Sequence, residues 1–421
     1  MPAVLGQPAS VFGGDSTLAS RLEMANAGRR LPAAGPTQGS HIDSHYENSW
    51  ERSDLQPQRR AVSVTTSMVD WTVAFNTATK LVRPGPEISR EGAAAVVAEL
   101  RGCASRAEAY VRDVTGMEAD SGTAPVLVVD RPSWIQANLD GFRQILLPLN
   151  AKVIERLNES NPMIASLGPR ITGVEVGALL SYLSSKVLGQ FDPFFPGLDT
   201  STPGGRLLLV APNIVSVERE LSVDPADFRL WVCLHEETHR VQFAAVPWLR
   251  GYLNDQIAQI VDSAELDPTV VAQMLRDALK RVIDAVSHGQ EVSIIDLVQT
   301  PAQRETVDRV TAIMSLLEGH ADVVMDSVGP EVIPTVENIR AKFTVRRQGQ
   351  GFDKIIRKLL GLDAKMRQYR DGAMFCRAVM NDVGMAGLNR VWTSPETLPT
   401  AAEIADPKLW LARIQPELTA S

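Results

Sequence analysis

The residues best suited to chemistry lie in the stretch LWVCLHEETHRVQF, residues 230–243, where His235 and His239 stand four positions apart. Because an α-helix makes one turn every 3.6 residues, both imidazoles would project from the same face, one turn apart. Two imidazoles placed in this way can occupy two corners of a tetrahedral zinc site. Glu236 would lie beside the open position of the metal, where its carboxylate can take a proton from water and pass it to a leaving amine. The stretch therefore predicts a zinc-dependent hydrolytic site.

The helix that would carry this motif has recognisable ends. Asp224 suits the N-cap and Pro225 the first helical position, and Pro247 marks the C-terminal end, so we predict a helix over about residues 225–246. Apolar residues fill the turns before the motif: Phe228, Trp231, Val232 and Leu234. Burial of this helix favours a metal, because buried histidine and glutamate side chains are costly unless something pairs with them. The alternative is a chance H-E-x-x-H pattern on a surface helix.

A zinc site of this kind needs a third protein ligand. One class of zinc hydrolase takes it from H-E-x-x-H-x-x-G-x-x-H, but Gln242 and Ala245 stand at the glycine and third-histidine positions here, which excludes that class. The other common ligand is a glutamate from a later helix. The segment TPAQRETVDRVTAIMSLLEGHADVVMDSVG meets that requirement, since its capping pattern and apolar stripe predict a helix over about residues 301–328.

Glu318 lies at the edge of the apolar stripe of this later helix, and Asp322 follows it one turn on, which gives the pattern E-x-x-x-D of the gluzincins, the glutamate-type zincins. We predict that Glu318 is the third zinc ligand and that Asp322 orients a ligand histidine, with His239 as the expected partner. The alternative is a solvated acidic edge on an ordinary helix. His320 lies on a different face, either as a transition-state donor or, as we favour, as a core residue or a support for a ligand.

Other parts of a hydrolytic site are harder to identify. The oxyanion formed in peptide hydrolysis needs a hydrogen-bond donor, and Tyr369 in MRQYRDG is a candidate, although a packing tyrosine with a wet hydroxyl is the favoured interpretation. The strand RLLLVA, before the active helix, either pairs with an extended substrate as an edge strand or packs in the core. Residues 253–290 are predicted to form two helices that roof the cleft.

The chain as a whole predicts a mainly α protein with a small β-sheet (α+β). Residues 1–65 are rich in Gly, Ser, Pro and Gln without a sustained apolar period, which predicts a disordered leader. Its i, i+4 pair, His41 and His45, is interpreted as part of a solvated tail rather than as a weak metal site. Residues 66–221 are predicted to form a helical region with the small sheet, and residues 222–421 a helical region with the zinc site, the two making one catalytic unit.

Two segments carry the strand signals. APVLVVDRP is short and β-branched and predicts one strand, and GGRLLLVAPNIVSVE predicts two short strands about a Pro212-Asn213 turn. Helical patterns dominate residues 133–190, and they resume from about residue 222 almost to the C-terminus. The small sheet is therefore expected to lie just before the histidine motif in the chain.

Composition narrows the partners and the compartment. The 421 residues are 44% hydrophobic and 22% charged, as in globular proteins, and the net charge of −8 argues against nucleic acid or an anionic membrane as the main partner. The three cysteines form no C-x-x-C pair, the N-terminus lacks a secretory pattern, and no apolar run approaches 18 residues. We therefore expect a cytoplasmic protein whose partner is a peptide or protein substrate.

The chain resembles the actinobacterial zincin-like metallopeptidase type 2 family, whose members are labelled as associated with deazaflavin-coenzyme biosynthesis. The resemblance runs from about residue 66 to the end, and its most specific segments are LWVCLHEETHRVQFAAVPWLRGYL and LLEGHADVVMD, supported by MVDWTVA, VDRPSWIQANLDGF and KMRQYRDGAMFCRAV. It implies a zincin-like metalloprotease fold, one zinc ion per chain held by His235, His239 and Glu318, and Glu236 as the catalytic acid and base.

Three hypotheses about function follow. The leading one is a zinc-dependent metallohydrolase, specifically a gluzincin-type metallopeptidase with Glu236 as general base and acid. The second is a catalytically silent zincin scaffold that binds a protein partner or a coenzyme-pathway intermediate, against which an intact Glu236 argues, because a scaffold has no need of that carboxylate. The third is hydrolysis of a non-peptide amide by the same metal site.

Overall fold

A computed structural model describes residues 67–118, 124–147, 162–196, 204–263, 301–349 and 367–418. The predicted leader, including His41 and His45, and most of the predicted roof over residues 253–290 lie outside these ranges. The described helices are α1 Trp71–Leu81, α2 Arg90–Thr115, α3 Arg131–Ile145, α4 Pro162–Ser184, α5 Ala211–Leu221, α6 Pro225–Ala245, α7 Pro247–Ser263, α8 Pro301–Val332, α9 Val336–Gly349, α10 Arg367–Leu388, α11 Ala401–Ala405 and α12 Pro407–Leu418. The strands are β1 Val126–Val129, β2 Gly189–Asp192 and β3 Arg206–Val210.

The prediction of a mainly helical chain with a small sheet is confirmed. The helix starts follow the capping chemistry of the sequence: Ser89 caps α2, Asp130 caps α3, and Asp224 caps α6 by accepting a hydrogen bond from the backbone N–H of Asp227 at 3.0 Å. None of the helices within the described ranges is long and apolar enough to cross a membrane.

The sheet has the strand order β1-β3-β2, with β1 parallel and β2 antiparallel to β3. The central strand β3 is almost entirely buried, and its alternating side chains face two different cores. Leu209 faces the larger core, which is shared with α2, α6, α8 and α10, whereas Leu208 and Val210 face a smaller core shared with α1, α3 and α4. The sheet therefore separates the active helix from α1, α3 and α4, whereas α2 packs on the same side as the active helix.

One expectation about this region is wrong, and one open alternative is decided. The predicted strand after Pro212-Asn213 is helix α5, which begins directly after β3 with Pro212 in its first turn, and Asn213 is buried, donating hydrogen bonds to the carbonyls of Ser184 and Val187. Strand β2 begins at Gly189, at the very end of the segment 133–190 in which helical patterns dominate, and the sequence did not indicate it. Of the two alternatives for RLLLVA, packing in the core is the observed one, because it forms β3, the buried middle strand of the described sheet, and β2 is an edge strand.

The third-ligand helix, α8, is regular up to Gly329, whose φ of 67° breaks it near the predicted end. It crosses α10 at an unusually short distance, through two glycines. A Cβ on Gly319 would lie 2.2 Å from the carbonyl carbon of Gly372, and a Cβ on Gly372 would lie 2.1 Å from the carbonyl oxygen of Ser315. Backbones that approach this closely leave no room for a side chain, so the crossing fixes the helix that carries Glu318.

Substitution of Gly372 by alanine should therefore lower the free energy of unfolding by about 1–3 kcal/mol, because the helices must separate to admit the methyl group. The matched control is Gly102→Ala, an exposed position inside α2 with nothing within 4 Å of the new Cβ. It should leave stability unchanged or raise it by up to about 1 kcal/mol through helix propensity. Denaturant unfolding measures both, and equal stability of the two variants would contradict the crossing.

Candidate metal centre

Three polar side chains from two helices converge at one point. His235 and His239 project from the same face of α6, their rings 4.9 Å apart and perpendicular, and Glu318 faces them from α8. The Nε2 of His235 lies 3.5 Å from one carboxylate oxygen of Glu318, and the Nε2 of His239 lies 3.8 Å from the other. One ligand atom from each residue can be chosen so that all three lie within 4.8 Å of one another.

This arrangement fits a zinc ion. Ligands that lie 2.0–2.1 Å from a tetrahedral ion are about 3.3 Å from one another, close to the two observed distances. Two imidazole nitrogens and one carboxylate oxygen form a donor set that zinc hydrolases use, with the fourth position left for water or substrate. The exposed fractions of the side chains are 23% for His235, 12% for His239 and 36% for Glu318, so the site opens to solvent on the side of α8. The three predicted ligands are thus brought together.

Glu236 lies beside these ligands and is buried, with 7% of its surface exposed. Burial, then the nearby negative charges of Glu318 and Glu237, raises the pKa of Glu236 to about 8. Its side chain lies against strand β2: a Cβ on Gly189 would be 2.6 Å from the Glu236 carboxyl carbon and 2.7 Å from its Oε1. The glycine at the start of β2 therefore provides the space that the carboxylate occupies.

Glu237, the residue after Glu236 on the active helix, forms a buried salt bridge. Glu237 is completely buried, and its Oε2 accepts from Arg240 Nε at 2.5 Å. Arg240 also binds Glu108 of α2 at 2.7 Å and donates to the carbonyl of Ala124 at 2.8 Å. Burial raises the pKa of Glu237 to about 7, and Arg240 opposes that shift. This buried network attaches the back of the active helix to α2.

A second buried ion pair holds the first half of the active helix. Arg229 donates two hydrogen bonds to Glu218 of α5, at 2.6 and 3.0 Å, and it also pairs with Glu99 of α2. A bidentate arginine–carboxylate pair restricts both distance and rotation. Together with the Arg240 network, it sets which face of α6 turns toward α8.

The observed side-chain partner of His239 is Gln242 rather than the predicted Asp322. The Nδ1 of His239 lies 3.0 Å from the side-chain oxygen of Gln242. Asp322 is half-buried on α8, near enough to Cys376 for its charge to contribute to the raised pKa of that thiol. A role for Asp322 in orienting a ligand histidine stays a prediction.

The sequence offers two candidate transition-state donors, His320 and Tyr369, and the structure describes the side chain of His320 alone. His320 is completely buried, its Nδ1 lies 2.9 Å from Gln242, and its ring packs edge-on against Trp392, so the transition-state role is wrong and the favoured role in the core is the observed one. Burial lowers the pKa of His320 to about 3, with the charge of His239 as a smaller cause. Tyr369 lies at the start of α10, and its side chain falls outside the described part of the structure.

Two residues of the site were not found from the sequence. Gly189 gave no signal, because its role depends on a side chain 47 positions away that is packed against it. Gln242 occupies the glycine position of the excluded three-histidine pattern, and a polar residue three positions after the second histidine, on the same helix face, is also a candidate partner for that histidine. The local spacing could have suggested Gln242, whereas Gly189 required the fold.

The fold and the site are those of an H-E-x-x-H protein in which a glutamate on a later helix faces the two histidines, a group that could hold a metal ion. The family model for the zincin-like metallopeptidases matches residues 69–411. The chain belongs to the zincin-like metallopeptidase family, which implies a zinc cofactor and places it among the zinc metallohydrolases.

Comparison with solved structures agrees with that assignment. A protein from Chloroflexus aurantiacus, described as a proposed hydrolase with a novel fold, is 30% identical to this chain with a TM-score of 0.61. The alignment covers 82% of this chain and 99% of that one. A search of curated proteins found no match. The fold of this chain is therefore similar to that of the Chloroflexus aurantiacus crystal structure.

The wild-type protein should bind about one zinc ion per chain, because the ligand atoms of His235, His239 and Glu318 converge at one point. His235→Ala and Glu318→Ala should each lower zinc affinity at least 100-fold, since the donor set then falls to two. Glu305→Ala, which removes a 73% exposed carboxylate from the same helix as Glu318, is the matched control and should bind as the wild type does. Metal analysis and chelator competition measure this, and retention of full affinity by Glu318→Ala would remove it from the ligand set.

Proposed function

We propose that the protein is a zinc-dependent metallopeptidase of the gluzincin type. The observation that carries the proposal is the convergence of His235, His239 and Glu318 beside the buried carboxylate of Glu236. Family membership and the hydrolase description of the Chloroflexus aurantiacus protein support hydrolysis, and peptide bonds are the substrate class that the family description names. The proposed partner is accordingly a peptide or protein substrate.

The proposed chemistry divides between the metal and this chain. His235, His239 and Glu318 would hold a zinc ion, which when bound would act as a Lewis acid toward a substrate carbonyl and water. The Glu236 carboxylate is proposed to accept a proton from the attacking water and to donate it to the leaving amine. A carboxyl group with a pKa near neutrality can do both, and a neighbouring cation would favour its charged form. The buried position of Glu236 keeps bulk water away from this proton transfer.

Strand β2 is the proposed platform for an extended substrate. It is the antiparallel edge of the described sheet, and its first residue, Gly189, lies against Glu236, so the edge passes directly beside the reacting groups. An extended peptide that pairs with an edge strand gains main-chain hydrogen bonds without any sequence requirement. RLLLVA, for which the sequence left an edge strand and a core strand as alternatives, is the middle strand of the described sheet and is not used as this platform.

Replacement of Glu236 by glutamine should leave zinc affinity within a few-fold of the wild type and reduce peptide turnover by about 10²–10⁴-fold, because the amide keeps the shape but cannot accept the proton. A peptide library digested by the zinc-loaded protein and read by mass spectrometry measures turnover. Glu305→Gln is the control for an exposed carboxylate. A wild type that binds zinc and cleaves no peptide would instead favour the scaffold hypothesis or a non-peptide amide substrate.

Gly189→Ala should act on Glu236 without touching the zinc ligands. The new methyl group would overlap the Glu236 side chain, and a displacement of about 1 Å at a catalytic group can lower turnover about 100-fold. Zinc affinity should be unchanged. Gly141→Ala, at a helical position with nothing within 4 Å of the new Cβ, is the control and should be fully active. Wild-type turnover in Gly189→Ala would show that Glu236 does not need its observed position.

A further inference from the structure

Gln242 is a completely buried glutamine on α6, just under one turn after His239. Its side-chain oxygen lies 3.0 Å from His239 Nδ1, and its side-chain nitrogen lies 3.2 Å from the carbonyl oxygen of Leu317 and 2.9 Å from His320 Nδ1. Three of the four hydrogen-bonding positions of the amide are therefore engaged. The mechanism proposed above does not use this residue.

The carbonyl of Leu317 decides which way the amide points. The two ends of a glutamine amide have nearly the same shape, so orientation has to be assigned from the partners. A backbone carbonyl only accepts hydrogen bonds, and the end that faces it must therefore be the donating NH₂ group. The oxygen end consequently faces His239, which requires a donor there.

The orientation of Gln242 in turn selects the tautomer of His239. Because a carbonyl oxygen can only accept, the Nδ1 of His239 must carry the hydrogen. The Nε2 of a neutral imidazole is then the free lone pair, and it is this atom that faces Glu318 at 3.8 Å. The contact therefore prepares His239 for metal binding through Nε2.

His320 supports Gln242 from the far side. The second N–H of the amide points at His320 Nδ1, which must accept and cannot be protonated, since two donors would otherwise face each other. The His320 imidazole lies between Gln242 and the Trp392 ring, and the planes of the two rings meet at 85°. His320 thus acts as an acceptor that holds the amide in place.

We propose that Gln242, held by the Leu317 carbonyl and by His320, is a positioning residue that fixes the metal-binding tautomer of His239 and joins the two ligand-bearing helices. Leu317 immediately precedes Glu318, so one amide contacts the histidine ligand on α6 and the turn of α8 that carries the glutamate ligand. The proposal rests on the proposed zinc site but not on peptide hydrolysis. Partners of this kind typically contribute 10- to 100-fold to metal affinity.

The test compares Gln242→Met with Gln256→Met. Gln256 is also a buried glutamine that connects to α8, but the group it binds there is Arg309, whose Nε donates to the Gln256 side-chain oxygen at 3.0 Å, and not the turn that carries Glu318. Both variants lose a buried amide and should lose thermal stability. Chelator competition should show zinc affinity 10- to 100-fold weaker for Gln242→Met and unchanged for Gln256→Met. Equal affinities in the two variants would overturn the positioning role.

A second measurement needs neither a folded variant nor bound metal. In wild-type protein with ¹⁵N-labelled histidine, the two ring nitrogens of His239 report the tautomer directly, and the chain has only six histidines to resolve. We expect the hydrogen on Nδ1 at mildly alkaline pH. A hydrogen on Nε2, or a fast mixture of both tautomers, would overturn the proposal.

The two measurements separate this proposal from the proposed function. A wild type that binds no zinc would refute the zinc enzyme, while the tautomer measurement would still decide the role of Gln242. A wild type that binds zinc and cleaves peptides, with Gln242→Met binding as tightly as Gln256→Met, would refute only the positioning role.

Discussion

The close approach of α6 and α8 is the constraint on which the rest of the structure depends. The ligand atoms of two histidines on one helix and a glutamate on the other must lie within a few ångströms, and packed helices whose axes are 8–10 Å apart allow this only in one relative rotation. That rotation is set on both sides. Gln242 contacts the turn of α8 that carries Glu318, and the Gly319–Gly372 crossing presses α8 against α10 from behind.

The polar groups on the remaining faces of α6 also fix the rotation of this helix relative to α8. Charged side chains inside a core are tolerated where other groups pair with them, and Arg229, Glu237 and Arg240 each have such partners on α2, α5 or α6 itself. These ion pairs offset the cost of burying the charges, and they also orient the helix. Because Arg229 and Arg240 hold α6 at two points along its length, the helix cannot rotate about its axis. The metal-facing side of α6 is thereby kept toward α8.

The sheet contributes space rather than ligands. Strand β3 divides the two cores, and β2 lies beside the active helix with a glycine where Glu236 needs room. A strand residue with a side chain at that position would compete with the Glu236 carboxylate for the same volume. The small sheet therefore borders the candidate metal centre through its backbone, which side-chain patterns do not reveal.

The sequence by itself determined the features that depend on neighbours within a turn or two. H-E-x-x-H and E-x-x-x-D place their side chains by helical periodicity alone, so His235, Glu236, His239 and Glu318 could be named before any fold was known. The same local rules located the cap of α6 and the strand β1.

Only the tertiary structure decided the remainder, because those features depend on contacts between distant segments. The four residues of β2 are a strand since β3 lies beside them, and the chain after β3 is helix α5 because Pro212 starts a turn and Asn213 finds buried carbonyls. Gln242 is the partner of His239 because the Leu317 carbonyl and His320, both on α8, bind the other end of its amide. Periodicity describes one helix face at a time, whereas the orientation of a metal ligand depends on what a second helix brings against it.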